Sequence, residues 1–281
     1  MAIAYIIYNK KAGDSRAFES INKLDVFIED EVKYIEITKI SDYRTFLNGL
    51  EREDYIILAG GDGTLNKFIN NVDKIKFDNE VLYFPIGTGN DFARDLGYKK
   101  GSMPFSVRDY IKDVPTVTVN GKTYRFINGV GYGLDGYCCE IGDIFKKSPE
   151  KKVNYTSIAI KGLLFHYKPT NAKVTVDGKE YSYKKVWIAP TMIGRFYGGG
   201  MMPTPDQHRF SDRLSTLIFH NSGKLRTLMI FPSIFKGKHT EHTENIDILS
   251  GKEITVEFDR PVSLQIDGET ITNVLSYTAR R

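Results

Sequence analysis

The chain of 281 residues has only two cysteines, and they are neighbours, Cys138 and Cys139. Adjacent cysteines bridge only with backbone strain, so a disulfide framework is excluded and both thiols are expected to be reduced and buried. Long hydrophobic runs are missing as well. The longest, such as Tyr55 to Ala59 and Thr227 to Phe231, fall far short of the roughly 18 to 20 residues that crossing a bilayer requires. No transmembrane segment is expected. There is no basic leader and no small-residue cleavage site, so Met1 to Tyr8 reads as a first buried strand and the expected location is cytoplasmic. Low-complexity tracts, internal repeats and long linkers are absent too. What is present, 41% hydrophobic and 26% charged residues, excludes a disordered or collagen-like chain and is enough for one large or two moderate cores.

The net charge of +4 is unevenly spread, −3 over residues 1 to 119 and +7 over residues 120 to 281, which points to two domains. The pattern of elements changes at the same place. Residues 1 to 110 alternate short β-branched or aromatic runs, at Ile3 to Tyr8, Tyr34 to Thr38, Tyr55 to Ala59 and Val81 to Ile86, with polar, helix-compatible stretches. This is the pattern of βαβ units and a parallel sheet. The runs at 55 to 59 and 81 to 86 are apolar on both alternating faces, as central strands covered from both sides must be. From about residue 115, alternating strands end in Asn120-Gly121 and Asp177-Gly178, pairs that suit the two positive φ angles of a type I′ hairpin turn. With further strand-like runs at Val186 to Ala189, Leu214 to His220, Ile254 to Phe258 and Val262 to Ile266, and one helix-compatible stretch near Tyr155 to Phe165, the second part reads as an antiparallel β-sandwich or flattened barrel. The expected fold class is therefore a Rossmann-like α/β domain followed by an all-β domain.

Chemistry concentrates in two glycine turns. The strand at 55 to 59 runs into Gly60-Gly61-Asp62-Gly63-Thr64 and then into Leu65-Asn66-Lys67-Phe68-Ile69, whose apolar spacing suits a helix. Glycines let a backbone approach an anion, and the first amides of a helix carry partial positive charge, so strand, glycine turn and helix together form a phosphate-binding geometry. A carboxylate at Asp62 would repel phosphate unless it held Mg²⁺ or took a proton from an attacking hydroxyl. The next strand runs into Gly87-Thr88-Gly89-Asn90-Asp91 and Phe92-Ala93-Arg94-Asp95-Leu96, a second unit of the same construction. In a parallel sheet both turns emerge at the carboxyl edge, where open α/β sheets bind ligands. One of Asn90 and Asp91 is expected to be a helix N-cap.

Neither turn matches a Walker or dinucleotide fingerprint. A literal Gly-x-Gly-x-x-Gly at Gly131, Gly133 and Gly136 lies in the β-rich half and runs toward the lysine-dense stretch 146 to 152, so it reads as a decoy. His239-Thr240-Glu241-His242 has ligand-like spacing without a third ligand and reads as a solvated turn. Leu163 to Tyr167 and Phe231 to Phe235 read as core, and any part of them left exposed would suit contact with lipid at a membrane surface. Lysines and aromatics form no single-strand platform, so no nucleic-acid partner is expected.

The paired turns, Gly60-Gly61-Asp62-Gly63-Thr64 and Gly87-Thr88-Gly89-Asn90-Asp91-Phe92-Ala93, resemble the signature of the diacylglycerol kinase catalytic-domain family in its soluble bacterial lipid-kinase form. The first turn is shared with NAD kinases. Further matching pieces are the loop Asn9 to Gly13, Tyr197-Gly198-Gly199-Gly200-Met201 ahead of Pro203, and Asp267-Gly268-Glu269. The resemblance implies a nucleotide domain over residues 1 to 118 with 272 to 281 returning to it, a β-sandwich substrate domain over 119 to 271, and ATP with Mg²⁺ as cofactors. It implies phosphate transfer to a hydroxyl of diacylglycerol or a similar lipid, at a membrane surface engaged peripherally on its inner face, by a chain that can pair as a homodimer. Asn9, Thr38, Gly60, Gly61, Gly63, Thr64, Gly87, Thr88, Gly89, Asn90 and Asp91 become the nucleotide-binding candidates, Asp62 and Glu269 the catalytic ones, and Asp62 also a metal ligand. The readings that compete are an NAD kinase-like enzyme with a soluble acceptor and an inactive nucleotide-binding regulator.

Two departures from the family pattern stand out. Asn-Pro after the first strand is here Asn9-Lys10, which places Lys10 or Lys11 near the nucleotide. The Asp-Asp-Gly of a structural Mg²⁺ site is here Ser211-Asp212-Arg213, so Asp212 is left as a metal candidate with a guanidinium at its side that can substitute for the ion.

Overall fold

The computed structural model describes residues 2–10, 21–22, 24–146 and 155–281, with Asp25 and Thr156 described by their backbone only. Lys11, the rest of the loop to Gly13 and residues 147–152 of the lysine-dense stretch lie outside the described residues. The chain divides into two compact units, Met1–Val114 and Pro115–Arg281.

In the first unit, strands β1 (Ile3–Tyr8), β2 (Glu31–Glu36), β3 (Tyr55–Gly60), β4 (Glu80–Pro85) and the short β5 (Phe105–Ser106) form one sheet in the order β2-β1-β3-β4-β5. The first four are parallel and β5 runs antiparallel to β4. Helices α1 (Tyr43–Asn48), α2 (Asp62–Asn71) and α3 (Asp91–Asp95) lie between successive strands from β2 to β5, and α4 (Arg108–Lys112) follows β5. Strand β3 is buried continuously from Ile56 to Gly60, because a central parallel strand is covered on both faces. Along α2 the buried Leu65, Phe68 and Ile69 recur at helical spacing. The second strand lies a few residues earlier than its apolar run suggests. Its register with β1 ends at the pair Tyr8 and Glu36, and Ile37–Lys39 turns into a 3-10 helix.

The second unit is built on a ten-stranded antiparallel sheet. Its strands are β6 (Thr116–Val119), β7 (Lys122–Arg125), β8 (Gly129–Tyr132), β9 (Thr170–Val176), β10 (Lys179–Val186), β11 (Thr191–Met192), β12 (Leu214–Phe219), β13 (Ile246–Gly251), β14 (Glu253–Ile266) and β15 (Glu269–Arg280). Positive φ at Asn120-Gly121, Asp177-Gly178 and Asp267-Gly268 closes three hairpins. The two runs expected at 254–258 and 262–266 are one long strand, β14, with an irregularity between Glu257 and Val262. On one edge it pairs first with β9 and then, beyond the irregularity, with β8. One strand thus feeds two branches of sheet, and its bend lets them enclose a core that includes Trp187, Tyr132, Phe219 and Tyr277.

The sequence pattern shows one helical stretch in this unit, whereas the described residues hold three α-helices: α5 (Leu134–Lys146), α6 (Tyr155–Lys161) with a π-helical turn at Gly162–His166, and α7 (Lys224–Ile230). The Gly131, Gly133, Gly136 motif starts α5. Gly133 has φ 106°, and a Cβ on Gly136 would fall 1.9 Å from the carbonyl oxygen of Ser263, so these glycines let the helix lie against β14.

The expected domain limits need correction. Strand β6 pairs with β15, which places the boundary before Pro115 rather than after residue 118. Residues 272 to 281 do not return to the first unit. They form β15, with backbone hydrogen bonds to β14 on one side and β6 on the other, and so belong to the second unit.

Candidate functional site

The parallel registers bring the candidates of the first unit to one edge. Tyr8 pairs with Glu36 and with Ala59, and Gly60 pairs with Pro85. The residues that follow these strands, Asn9, Thr38, Gly61 to Thr64 and Gly87 to Asp91, therefore all leave the sheet at its carboxyl end, where β-strand backbone gives way to turns.

The two glycine turns are locked to each other. The carbonyl of Gly60 accepts the amides of Ile86 at 2.9 Å and Gly87 at 3.0 Å. Beyond it the backbones touch, for a Cβ on Gly87 would lie 2.3 Å from the Cα of Gly61. Asn90 sits in the left-handed region at φ 50°, ψ 42°, and its Nδ2 donates to the Gly87 carbonyl at 2.8 Å, closing the second turn on itself. Asn90 occupies the N-cap position of α3, yet its side chain does not cap the helix. The cap comes from the other turn. Asp62 Oδ2 accepts the amide of Asp91 at 2.8 Å and Oδ1 that of Phe92 at 2.9 Å. The carboxylate of Asp62 thus neutralises the end of α3 and ties one turn to the other. The hydroxyl of the buried Tyr83 lies below, 3.5 Å from Asn90 Oδ1, and is held well above its ordinary pKa by burial and then by the charges of Asp62 and Asp91.

This arrangement sorts the phosphate candidates. The first two amides of α3 are already taken by Asp62. At α2, Thr64 and Leu65 donate to the Gly61 carbonyl, so Asp62 and Gly63 hold the amides that have no partner within the helix. A Cβ on Gly63 would meet nothing within 4 Å, so no neighbour in the protein requires glycine there. Thr88 and Gly89 are exposed. The side chain of Thr64, by contrast, is buried against Gly60, where a Cβ would clash with its Oγ1 at 2.2 Å. Thr38 is exposed and donates to Glu36, whose pKa is lowered first by a hydrogen bond from Lys10. Lys10 itself is 3.2 Å from Glu36.

In the second unit Glu269 is exposed at the start of β15. The hairpin carrying it is anchored by Asp267, whose carboxylate accepts three successive amides, those of Ile127 at 2.7 Å, Asn128 at 2.9 Å and Gly129 at 3.0 Å. Arg209 completes the anchor, bonding the Ile127 carbonyl and, at 2.7 Å, Asn128 Oδ1. Asp212 pairs with Lys252 at 3.3 Å, and Arg213 pairs with Asp177 at 2.9 Å. Among the described residues no group of three or more acidic, histidine or cysteine side chains could hold a metal ion. At Asp212, then, the positive charge beside the acid comes from lysine.

Two residues carry features that pattern reading did not reveal. Asp135 is buried within the glycine motif, accepting from Tyr197 Oη at 3.0 Å and the Gly136 amide at 3.0 Å, and burial pushes its pKa up to about 6. Gly131 makes room for it, since a Cβ there would lie 2.1 Å from Asp135 Oδ2. The signal available in the sequence was an acid inside a glycine-spaced strand-to-helix turn. His239 is fully buried rather than solvated, bonded through Nε2 to the Pro203 carbonyl at 2.9 Å, with its pKa lowered by burial. Both thiols are pushed up by burial, that of Cys139 to about 12. A groove of about 550 Å³ lies among Tyr137, Glu140, His166, Arg260 and Thr272. Two of its charged groups have internal partners, Glu140 accepting from Ser263 and Arg260 donating to the Lys168 carbonyl.

Fold and turns together define an α/β unit with two interlocked glycine turns on one sheet edge, followed by an antiparallel β unit. Residues 3–118 match the model of the diacylglycerol kinase catalytic domain, and residues 128–278 match that of the YegS C-terminal NAD kinase beta sandwich-like domain. The chain belongs to the family that these two consecutive matches define, a diacylglycerol kinase catalytic domain followed by a YegS C-terminal NAD kinase beta sandwich-like domain, the second spanning more than half of the chain. It is 29% identical over 247 residues to the "Putative lipid kinase" of Staphylococcus aureus strain Mu3, covering 85% of this chain and 76% of that protein. The relative from strain Newman shows the same identity and coverage. Among solved structures, a "putative diacylglycerol kinase" from Bacillus anthracis superimposes with a TM-score of 0.68 at 20% identity, covering 99% of this chain and 91% of that one. A second Bacillus anthracis diacylglycerol kinase structure gives a TM-score of 0.63 at 19% identity. At such identities the likeness is one of fold.

Proposed function

We propose that the protein is a lipid kinase that transfers the terminal phosphoryl group of ATP, with Mg²⁺, to a hydroxyl of diacylglycerol or a similar lipid. The observation that carries this reading is the pair of interlocked turns, with the start of α2 and the exposed Thr88 and Gly89 on one sheet edge. The open space at Gly63 fits a phosphate chain, since a side chain there would meet no protein atom and would occupy the volume a ligand needs. A single carboxylate suits magnesium, which is commonly held by one or two acids together with substrate phosphates. Asp62 keeps lone pairs beyond its two amide bonds and is the residue assigned to it.

When bound, the magnesium nucleotide supplies the transferable group and neutralises the charge on it. The chain supplies position. The amides of Asp62 and Gly63 and the turn at Thr88 and Gly89 orient the phosphates. Asp62 is itself held rigid by the amides it accepts. Glu269 is assigned as the carboxylate base that takes the acceptor's proton, and its hairpin is fixed by Asp267.

The test is incubation with labelled ATP and either a lipid extract or NAD. Label in the lipid fraction supports the reading. Label in NAD alone favours an NAD kinase-like enzyme, which the description of the second domain keeps in view. Nucleotide binding with no product from any acceptor favours a regulator.

A further inference from the structure

The second unit carries an apolar surface that the site above does not use. Helix α6 runs straight into the π-helical turn Gly162–His166, which buries Gly162 and Leu163 and turns Phe165 outward, 74% exposed. Helix α7 packs beside that turn. It buries Thr227 and Ile230 and presents Leu225, 74% exposed, and Met229, 68% exposed, one helical turn apart on the same side. The two elements are joined by Lys224 Nζ, which donates to the carbonyl of Leu164, so Phe165 and Leu225 each stand one residue from this bond. Single exposed apolar side chains are ordinary, whereas three large ones on adjoining elements form a patch that usually has a partner.

The charge around the patch identifies that partner. Segments 155–168 and 223–244 contain Lys161, Lys168, Lys224, Arg226, Lys236 and Lys238 against Glu241 and Glu244, of which Glu244 pairs with Arg226, so these two segments carry a net charge of +4, equal to that of the whole chain. A basic excess thus lies on the segments that carry three large exposed apolar side chains. A second copy docking here through a two-fold contact would set this basic rim against itself. An anionic bilayer meets both features, taking the apolar tips into the acyl boundary and the lysines at its headgroups.

We propose that the face formed by Phe165, Leu225 and Met229 with its lysine rim is the surface by which this protein docks on anionic membranes. The inference rests on the lipid-kinase reading above and names where such an enzyme meets its substrate phase. It is tested by co-sedimentation of the full chain, without ATP, with vesicles of phosphatidylcholine alone or with one third phosphatidylglycerol. Binding is expected to the phosphatidylglycerol vesicles and to weaken as salt is raised. The triple variant Phe165→Ser, Leu225→Ser, Met229→Ser should lose at least about tenfold in vesicle affinity, with an unchanged far-ultraviolet spectrum and melting temperature. Its activity on detergent-dispersed acceptor should be unchanged, because none of the three belongs to the catalytic site. Vesicle binding by the variant equal to that of the parent overturns the proposal, as does failure of the parent to bind phosphatidylglycerol vesicles. A parent that sediments as a dimer and a variant that sediments as a monomer overturns it in favour of a self-interface. Failure of the kinase reading shows separately, as absence of product from dispersed lipid while vesicle binding is still measured.

Discussion

Asp62 reaches from the first glycine turn to the second and accepts the backbone amide of Asp91 at 2.8 Å, with the next amide, that of Phe92, at 2.9 Å on its other oxygen. The residue to which we assign the magnesium is therefore also the clasp that holds the two turns in register, so on that reading stability and chemistry meet at one carboxylate.

Asp62→Ala leaves two amides without their acceptor and should lower the stability of the first unit by roughly 1 to 3 kcal/mol. Asp62→Asn keeps one acceptor oxygen but turns an NH₂ toward the other amide, so it should lie between. Urea unfolding checks the order. Both variants should lose at least about a hundredfold in phosphoryl transfer, and full activity in either removes Asp62 from the reaction.

Two glycines separate packing from ligand binding. Gly87→Ala places a Cβ 2.3 Å from the Gly61 backbone and should cost about 1 to 3 kcal/mol as the turns are forced apart. Gly63→Ala meets open space and should leave the melting temperature unchanged or slightly raised, since alanine is also the better helix former. If phosphates occupy that space, Gly63→Ala should raise KM for ATP by about tenfold. An unchanged KM would place the phosphates elsewhere.

Glu269 is exposed and its side chain makes no hydrogen bond or ion pair among the described residues, so Glu269→Gln should melt like the parent while turnover falls by about a hundredfold or more. Asp267→Ala removes the acceptor of three amides and should show the opposite emphasis, a stability loss of about 2 kcal/mol with a smaller effect on turnover.

Asp135 gives the second unit a pH dependence with a definite sign. Its folded pKa is raised to about 6 from an ordinary value of 3.8, chiefly by burial, so between these values the folded state keeps a proton that the unfolded state has released. Its contribution is favourable below about pH 4 and is lost as pH rises through 6, by roughly 3 kcal/mol in all. Tyr197, Cys138 and Cys139, which face it, stay neutral over this range because burial raises each of them. In Asp135→Asn, whose amide oxygen still accepts from Tyr197, unfolding midpoints from pH 4 to 7 should lose this fall.

Asp212 is held by Lys252, and the described residues include no three-ligand metal group. Magnesium alone should therefore leave the melting temperature unchanged. Magnesium with ATP should raise it, by the equivalent of about 3 kcal/mol when the nucleotide is a hundredfold above its Kd. A rise with magnesium alone would show a structural ion site.

Much of this architecture is local and so was legible in the chain. Apolar runs bounded by glycine turns mark β1, β3 and β4 within a residue or two, because both faces of a buried parallel strand must be apolar. Asn120-Gly121, Asp177-Gly178 and Asp267-Gly268 mark hairpins because they tolerate positive φ at both positions. Helix α5 was hidden, because its start reads as a glycine-rich turn and its support, the close approach of Gly136 to Ser263, comes from a strand far along the chain.

The sequence by itself determined where the chain turns, which strands are buried and that two glycine turns follow consecutive strands, since these depend on side-chain size, φ preference and apolar period over a few residues. Only the tertiary structure decided what the acids do: Asp62 caps a helix that begins 29 residues later, Asp267 collects amides from residues 127 to 129, Asp135 is buried beneath Tyr197, and Asp212 finds a lysine. The same holds for Phe165, Leu225 and Met229, apolar residues that the packing of two helical elements leaves in solvent. Partners of charge and exposure of apolar surface are set by which distant segments meet, and no local preference encodes that meeting.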